Sequence, residues 1–142
     1  MRENLILPFY MATFESINKT LISASLADII LPLTMSGTTS ICTPSAANRV
    51  ITLPPPAIPG LRFHLIHGAT AAAAITIASP VANTMLGYWR GVSGTANPSG
   101  NAATGLTYTA AALPGDTIEV RSDGTYWYVT ANTAVAAGMA FA

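Results

Sequence analysis

The chain has 142 residues, of which 51% are hydrophobic and only 8% are charged, with six basic residues, six acidic residues and no formal net charge. This length suits one domain with a substantial core, and ordinary globular proteins carry about 25% charged residues. So little charge predicts that other copies of the chain, a larger assembly or a membrane covers part of the surface. A zero net charge with a single lysine argues against nucleic-acid binding, which draws most of its affinity from neutralising phosphates.

Two segments have the length, but not the composition, of membrane or targeting elements. The uncharged stretch from Phe63 to Trp89 is interrupted by histidines, glycines and a proline, so we predict no membrane span. The apolar start of the chain carries Glu3 and is followed by Glu15 instead of a small-residue cleavage site, so no signal peptide is predicted. The lone Cys42 has no partner for an internal disulfide, which predicts a buried thiol.

The first part of the chain predicts an N-terminal anchoring arm over residues 1–33, because it holds no glycine and prolines bracket it. Residues Ile17, Leu21, Ile22 and Leu26 have the spacing of one face of a short helix that begins near Thr13, and the alternative is an extended arm. The arm residues that we expect to dock on a partner protein are Leu5, Ile6, Phe9, Tyr10 and Phe14.

The remainder, residues 34–142, predicts an all-β body, either an antiparallel sandwich or a jelly roll, in a single domain. Its short β-rich segments are separated by Gly, Pro, Asn and Ser. The predicted strands are Thr38–Cys42, Arg49–Leu53, Arg62–Ile66, Ile75–Ala78, Thr84–Arg90, Leu106–Thr109, Thr117–Arg121, Thr125–Thr130 and a closing run within Ala134–Phe141. The polar run from Gly91 to Gly105 is predicted to be a long exposed loop that contacts partners.

The strongest local signal is a β-hairpin near the C-terminal end. Thr117–Arg121 alternates, Ser122-Asp123-Gly124 supplies a turn, and Thr125–Thr130 returns with aromatic and β-branched residues. On the first of these strands Glu119 and Arg121 share a face, which predicts a lateral ion pair.

The residue types that carry chemistry do not form a convincing catalytic or metal site. His64 and His67 point to opposite sides of a strand, so one is expected to be buried and they do not converge on a metal. Asp116 and Asp123 flank the hairpin, but both suit turn positions, and glycosidase chemistry requires two carboxylates about 5–9.5 Å apart. We therefore predict no catalytic residue, no metal and no cofactor.

The aromatic residues leave two interpretations open. Trp89 and Trp127, together with Asn97 and Asn101 of the polar loop, form a candidate contact for a host glycan or receptor. The alternative is that most of these aromatic side chains pack in the core.

From about Arg49 onward the sequence resembles small β-structured modules of viral appendage and capsid proteins, including phage fibre and capsid decoration domains. The similarity is carried by Ile51-Thr52-Leu53-Pro54, by Pro59-Gly60-Leu61-Arg62-Phe63 and by an Ala/Thr-rich strand. It is most specific in the hairpin segment from Gly115 to Val129. The resemblance implies a virion protein without enzymatic activity, forming a homotrimer and binding other capsid or tail proteins.

Overall fold

The computed structural model describes the backbone of Thr20–Ser23 and residues 28–43, 46–69, 73–92, 94, 96–98 and 102–142. These residues form twelve β-strands and one 3₁₀ turn, Leu33–Met35. The strands are β1 Thr20–Ser23, β2 Ile29–Ile30, β3 Thr39–Thr43, β4 Arg49–Thr52, β5 Arg62–His67, β6 Ile75–Ala78, β7 Met85–Arg90, β8 Ala96–Pro98, β9 Gly105–Tyr108, β10 Thr117–Ser122, β11 Trp127–Asn132 and β12 Met139–Phe141.

The strands form two sheets that pack face to face around one hydrophobic core. The seven-stranded sheet has the order β1-β3-β5-β10-β11-β7-β8, and the five-stranded sheet has the order β12-β9-β6-β4-β2. The predicted all-β sandwich is therefore confirmed. The sheets are mixed and not purely antiparallel as predicted, because β1–β3, β3–β5, β2–β4, β4–β6 and β7–β11 pair in parallel and the other pairs are antiparallel.

Four of the five parallel pairs arise from the path of the first six strands, which alternate between the two sheets. Over these six strands the chain winds around the core and returns beside its earlier strand. Parallel neighbours need such a crossover, since a tight turn joins only antiparallel strands. The proline-rich connection after β4 serves as one crossover: Pro54 and Pro56 are buried, and Leu53 N–H donates to Ala78 O at 2.8 Å.

The core forms because alternate residues of the strands point inward. β11 shows strict alternation of buried and exposed residues, and β10 is buried at Ile118 and Val120. Trp127 is fully buried, and its ring lies 5.9 Å from that of Phe63 in a tilted arrangement. Such aromatic pairs contribute about 0.5–1.5 kcal/mol beyond their buried area.

The hairpin is confirmed: β10 pairs antiparallel with β11, with Ser122 opposite Trp127. Asp123 closes the turn by accepting backbone N–H bonds from Thr125 and Tyr126 on Oδ1, both at 2.8 Å. Gly124 takes a φ of +101°, a conformation that side chains with a Cβ rarely adopt. The sequence Asp-Gly thus determines the turn as predicted.

Strands also form where none were predicted. The boundary predicted at residue 33 lies inside the sandwich, because β1 pairs with β3, β2 pairs with β4 and Leu31 is buried. Leu21 and Ile22 of the predicted helical face belong to strand β1, which agrees with the extended alternative, and Ile17 and Leu26 lie outside the described residues. The run from Gly91 to Gly105, predicted as a loop, contains β8.

None of the helices in the described part of the chain is long and apolar enough to cross a membrane.

Candidate functional site

One outer surface of the sandwich lacks charge. The outward residues of the five-stranded sheet form what we call the uncharged face: Ile30, Val50, Thr52, Thr76, Ala78, Thr107 and Ala140. Among the described residues, none on this face is charged. At its centre the hydroxyls of Thr76 and Thr107, which are opposite each other on β6 and β9, are 2.9 Å apart and hydrogen-bonded. Their mutual bond leaves little polar surface to desolvate.

The margin of the uncharged face near β2 carries exposed apolar side chains and one carboxylate. Ile30 is 76% exposed, and the exposed Leu33 follows it in the 3₁₀ turn. Asp28 lies just before β2, where its carboxylate Oδ1 accepts the Val50 N–H at 3.0 Å. Exposed branched side chains beside a small-residue sheet surface are typical of a surface that another protein covers.

The opposite surface carries four of the eight charged residues that the structure describes. We call eight outward residues on the central strands of the seven-stranded sheet the charged face: Arg62, His64, Tyr88, Arg90, Glu119, Arg121, Tyr128 and Thr130. Ile66, Leu86, Thr117 and Asn132 lie on the same side of the sheet. Three of the chain's six basic residues lie here. The two faces of one small domain therefore differ sharply in chemistry.

Glu119 is the central ion-pairing residue of the charged face. Its Oε1 accepts from Arg62 Nε at 3.0 Å and from Arg121 Nη2 at 2.7 Å and Nε at 2.9 Å. The Arg121 hydrogen bonds, aided by the charges of Arg121, Arg62 and His64, lower the pKa of Glu119 below its usual value. The ion pair predicted between Glu119 and Arg121 is present, and Arg62 of β5 joins it from the neighbouring strand.

Tyr128 stands beside this cluster with 49% of its surface exposed. Its hydroxyl donates to Asp123 Oδ2 at 3.1 Å, and that hydrogen bond raises the pKa of Tyr128. Backbone N–H bonds from Tyr126 and Thr125 lower the pKa of Asp123, so the carboxylate stays charged and orients the tyrosine ring. Further along the face, the Arg90 guanidinium lies 5.1 Å from the centre of the Tyr88 ring.

Asp116, considered as a catalytic carboxylate, is a buried structural residue. Its Oδ2 accepts from Leu113 N–H and from the Thr133 hydroxyl, both at 2.9 Å, and its Oδ1 accepts from Ala134 N–H at 2.7 Å. These bonds tie the loop before β10 to the loop after β11. Because burial removes water and every bond is made to the protein, the carboxylate stabilises the fold.

The two histidines lie on opposite sides of β5, as predicted. His64 is half-buried on the charged face, where its Nδ1 lies 3.3 Å from Thr39 Oγ1. His67 is buried against the ring of Tyr108, whose hydroxyl donates to Leu65 O at 2.8 Å. Burial lowers the pKa of His67, and the Leu113 carbonyl and the Asp116 charge offset part of this effect.

Cys42 is fully buried as expected, and burial raises the pKa of its thiol to about 12. A thiol with this pKa stays protonated near neutral pH and is a poor nucleophile. Within the described residues, no group of three or more His, Cys, Asp or Glu side chains could hold a metal ion.

Of the four candidate glycan contacts, only Trp89 and Asn97 are brought together among the described residues. Trp127 has no exposed surface, so it is a core residue, and the contact predicted for it is wrong. Trp89 is half-buried and packs against the core, and Asn97 lies opposite it on β8. Asn101 and the arm residues Leu5, Ile6, Phe9, Tyr10 and Phe14 lie outside the described residues.

Sequence reasoning missed the charged face as a site. The alternation along the hairpin predicted that Glu119 and Arg121 share one face of their strand. It also predicted which residues share a face with Tyr128 on the returning strand. Arg62 is distant in sequence, and only the antiparallel pairing of β5 with β10 brings it to Arg121.

Comparison of the sequence with models of known protein families found no match, and comparison with curated proteins found none either.

Proposed function

We propose that this protein is a viral structural protein of the capsid decoration or fibre type, which acts by binding copies of itself and neighbouring virion proteins. The observation that carries this proposal is the uncharged face: a sheet surface of threonine, alanine and branched residues in a chain that has little charge anywhere. The described carboxylates and the cysteine have structural environments, which supports association over catalysis.

The occupant of the uncharged face is a second copy of this chain. A partner that presented charge to this surface would lose hydration without gaining an opposite charge, and that costs free energy. The chain's own uncharged face avoids this cost, and its small side chains allow close approach. Each Å² of apolar surface covered contributes roughly 25 cal/mol.

The virion location rests on the resemblance of the segment from Arg49 onward to viral appendage and capsid modules. Those modules are homotrimeric or bound to a capsid, so the expected assembly has three copies that turn their uncharged faces toward a common threefold axis. The N-terminal residues predicted to dock on a partner supply the attachment to the particle.

The test is the solution mass of the full chain, measured by light scattering during gel filtration, compared with two threonine-to-arginine variants. Thr76→Arg introduces a charge at the centre of the uncharged face, whereas Thr117→Arg introduces the same charge on an outward position of the seven-stranded sheet. We expect an oligomer, near three times 14.6 kDa, that Thr76→Arg dissociates and Thr117→Arg leaves intact.

A monomeric full chain would overturn self-association. An oligomer that withstands Thr76→Arg would instead exclude the uncharged face as its interface. Circular dichroism of both variants shows that any loss of mass comes from dissociation of folded protein.

A glycan- or receptor-binding role is a second candidate, and the charged face favours it. It is compatible with assembly, because the two faces lie on opposite sides of the sandwich.

A further inference from the structure

The charged face contains a shallow cavity of about 250 Å³, lined by Glu119, Arg121, Tyr128 and Thr130. These residues lie on the antiparallel strands β10 and β11, where Glu119 is opposite Thr130 and Arg121 is opposite Tyr128. Regular strands, not loops, therefore hold all four lining residues. Sites on such elements are positioned more accurately than sites on loops.

The ion-pair cluster at this cavity, Arg62, Arg121 and Glu119, holds two guanidinium groups and one carboxylate, and the Asp123 carboxylate bonds the hydroxyl of the lining Tyr128. Arg62 and Arg121 are directly opposite each other on β5 and β10, and a single oxygen of Glu119 pairs with both. Like charges opposite each other on a sheet are unfavourable, so this arrangement is not explained by sheet stability. Each guanidinium has five N–H donors, and Glu119 uses only a minority of them. The cluster therefore has positive charge and planar donors to offer a ligand.

An exposed aromatic ring completes the cavity. Tyr128 is fixed by the bond from its hydroxyl to Asp123, which is itself held by two backbone N–H groups. Aromatic rings bury large apolar area at little entropic cost when they are already oriented. A ligand that matches this site has an apolar face for the ring and an anionic group for the arginines.

From this geometry we propose that the cavity binds one acidic sugar residue, a pyranose ring that carries a carboxylate. The carboxylate binds the free guanidinium donors of Arg121 and Arg62, an arrangement that suits planar bidentate contacts. The apolar side of the sugar ring stacks on Tyr128, and ring hydroxyls bond to Thr130 and to Glu119. The cavity is smaller than the roughly 300–1,000 Å³ of drug-sized pockets, which suits a single terminal residue of a longer glycan.

This site differs from the tryptophan and asparagine contacts predicted from sequence, and it does not depend on self-association. Because it lies on the face opposite the uncharged one, an assembly formed through the uncharged face leaves it open.

The experiment is an NMR titration of the full chain with three soluble probes: 3′-sialyllactose, a glucuronic acid-containing hyaluronan tetrasaccharide, and neutral lactose. We expect at least one acidic probe to bind and to shift the amide signals of β10 and β11, with lactose causing no comparable shift. Which acidic probe binds tells whether the natural source is a sialylated glycan or a uronic acid polysaccharide. We also expect binding to weaken as salt is raised, because it involves charge.

Two variants and a matched control locate the site. Arg121→Gln removes the charge at the cavity and Tyr128→Ala removes the ring, and each is expected to weaken binding about tenfold or more. Arg90→Gln removes an arginine from the same face beside Tyr88, outside the cavity, and is expected to leave binding within about twofold of the parent. The fluorescence of the buried Trp127 reports whether each variant is folded.

Lack of binding by both acidic probes would overturn the proposal, as would equal binding of lactose. An Arg121→Gln variant that is folded and binds like the parent would do so as well. The oligomer mass, measured on the same samples, separates failure of this site from failure of self-association.

Discussion

The two outer faces of the sandwich are both built from strands whose residues alternate between core and surface, yet they differ in charge. The uncharged face has a hydrogen-bonded threonine pair at its centre, Thr76 with Thr107, while the charged face has Glu119 between two arginines. Their inward residues serve one common core. The difference shows that the shared core constrains the inward positions, while the outward positions of the two sheets can differ in chemistry.

The faces also differ in the free energy that is needed to remove their polar groups from water when a partner covers them. Burying Thr76 and Thr107 removes from water two hydroxyls that already bond each other. Burying Arg62 and Arg121 removes two charges from water, which is costly unless the partner supplies an anion. This difference in cost is the reason why we propose protein association at the first face and ligand binding at the second.

The largest expected effect is a loss of stability, and it distinguishes the inward side of one strand from its outward side. Trp127 and Tyr128 are neighbours on β11, the first in the core and the second on the charged face. Trp127→Ala leaves a large core cavity and is expected to lower the free energy of unfolding by about 3–5 kcal/mol. Urea denaturation followed by circular dichroism measures this loss.

Tyr128→Ala is the matched control, because half of its ring is already in contact with water. Tyr128→Ala is expected to lower the free energy of unfolding by only a small fraction of the Trp127→Ala loss, while it weakens binding of the acidic sugar. Equal losses for the two variants would contradict the division between core and charged face.

An intermediate loss of stability is expected as the pH falls below neutrality. Burial lowers the pKa of His67 below the value of 6.5 that it has in the unfolded chain, so the unfolded state binds more protons. The contribution of neutral His67 is therefore complete above pH 6.5, and it is lost as the pH falls toward the lowered folded-state pKa. Urea denaturation at a series of pH values measures the slope.

The controls for this slope are His67→Gln and His64→Gln, on opposite sides of β5. His67→Gln is expected to flatten the acid side of the stability profile, whereas His64→Gln is expected to leave His67's contribution in place. An unchanged profile in His67→Gln would show that another group sets the acid sensitivity.

The smallest expected losses of stability come from removing one polar contact on each face. Glu119→Gln weakens two exposed ion pairs and is expected to cost less than about 1 kcal/mol, with a smaller cost at high salt. Thr107→Val removes the hydrogen bond to Thr76 and is expected to cost about 0.5–1 kcal/mol, without salt dependence. Thermal unfolding at low and high salt tests the contrast, and the same salt response in both variants would contradict it.

The sequence was sufficient to predict most strands because turn residues and alternation are local signals. Ile75–Ala78 was predicted with its observed ends, and the hairpin was predicted with its turn. β2 and β8 were missed because two or three residues are too short to show alternation. The parallel pairing was missed because inward and outward positions alternate identically in parallel and antiparallel strands.

The candidate sites depended on pairings that the sequence does not reveal. Alternation alone placed Glu119 and Arg121 together, but Arg62 meets them only through the β5–β10 register. Trp127 was expected at the surface or in the core, and alternation on one strand does not tell which side faces the second sheet. The threonines of the uncharged face, likewise, come from strands far apart in the chain.

The order of strands in the seven-stranded sheet has a consequence for how the chain folds during synthesis. β10 and β11 lie between β5 and β7 in the sheet, although β5 and β7 are synthesised before them. Until the hairpin emerges, β5 and β7 each present an unpaired edge, and such edges invite pairing with other chains. The hairpin closes across a short turn and forms rapidly once it is available. We therefore expect chains interrupted before Thr117 to aggregate, since the last-made hairpin closes the centre of the sheet.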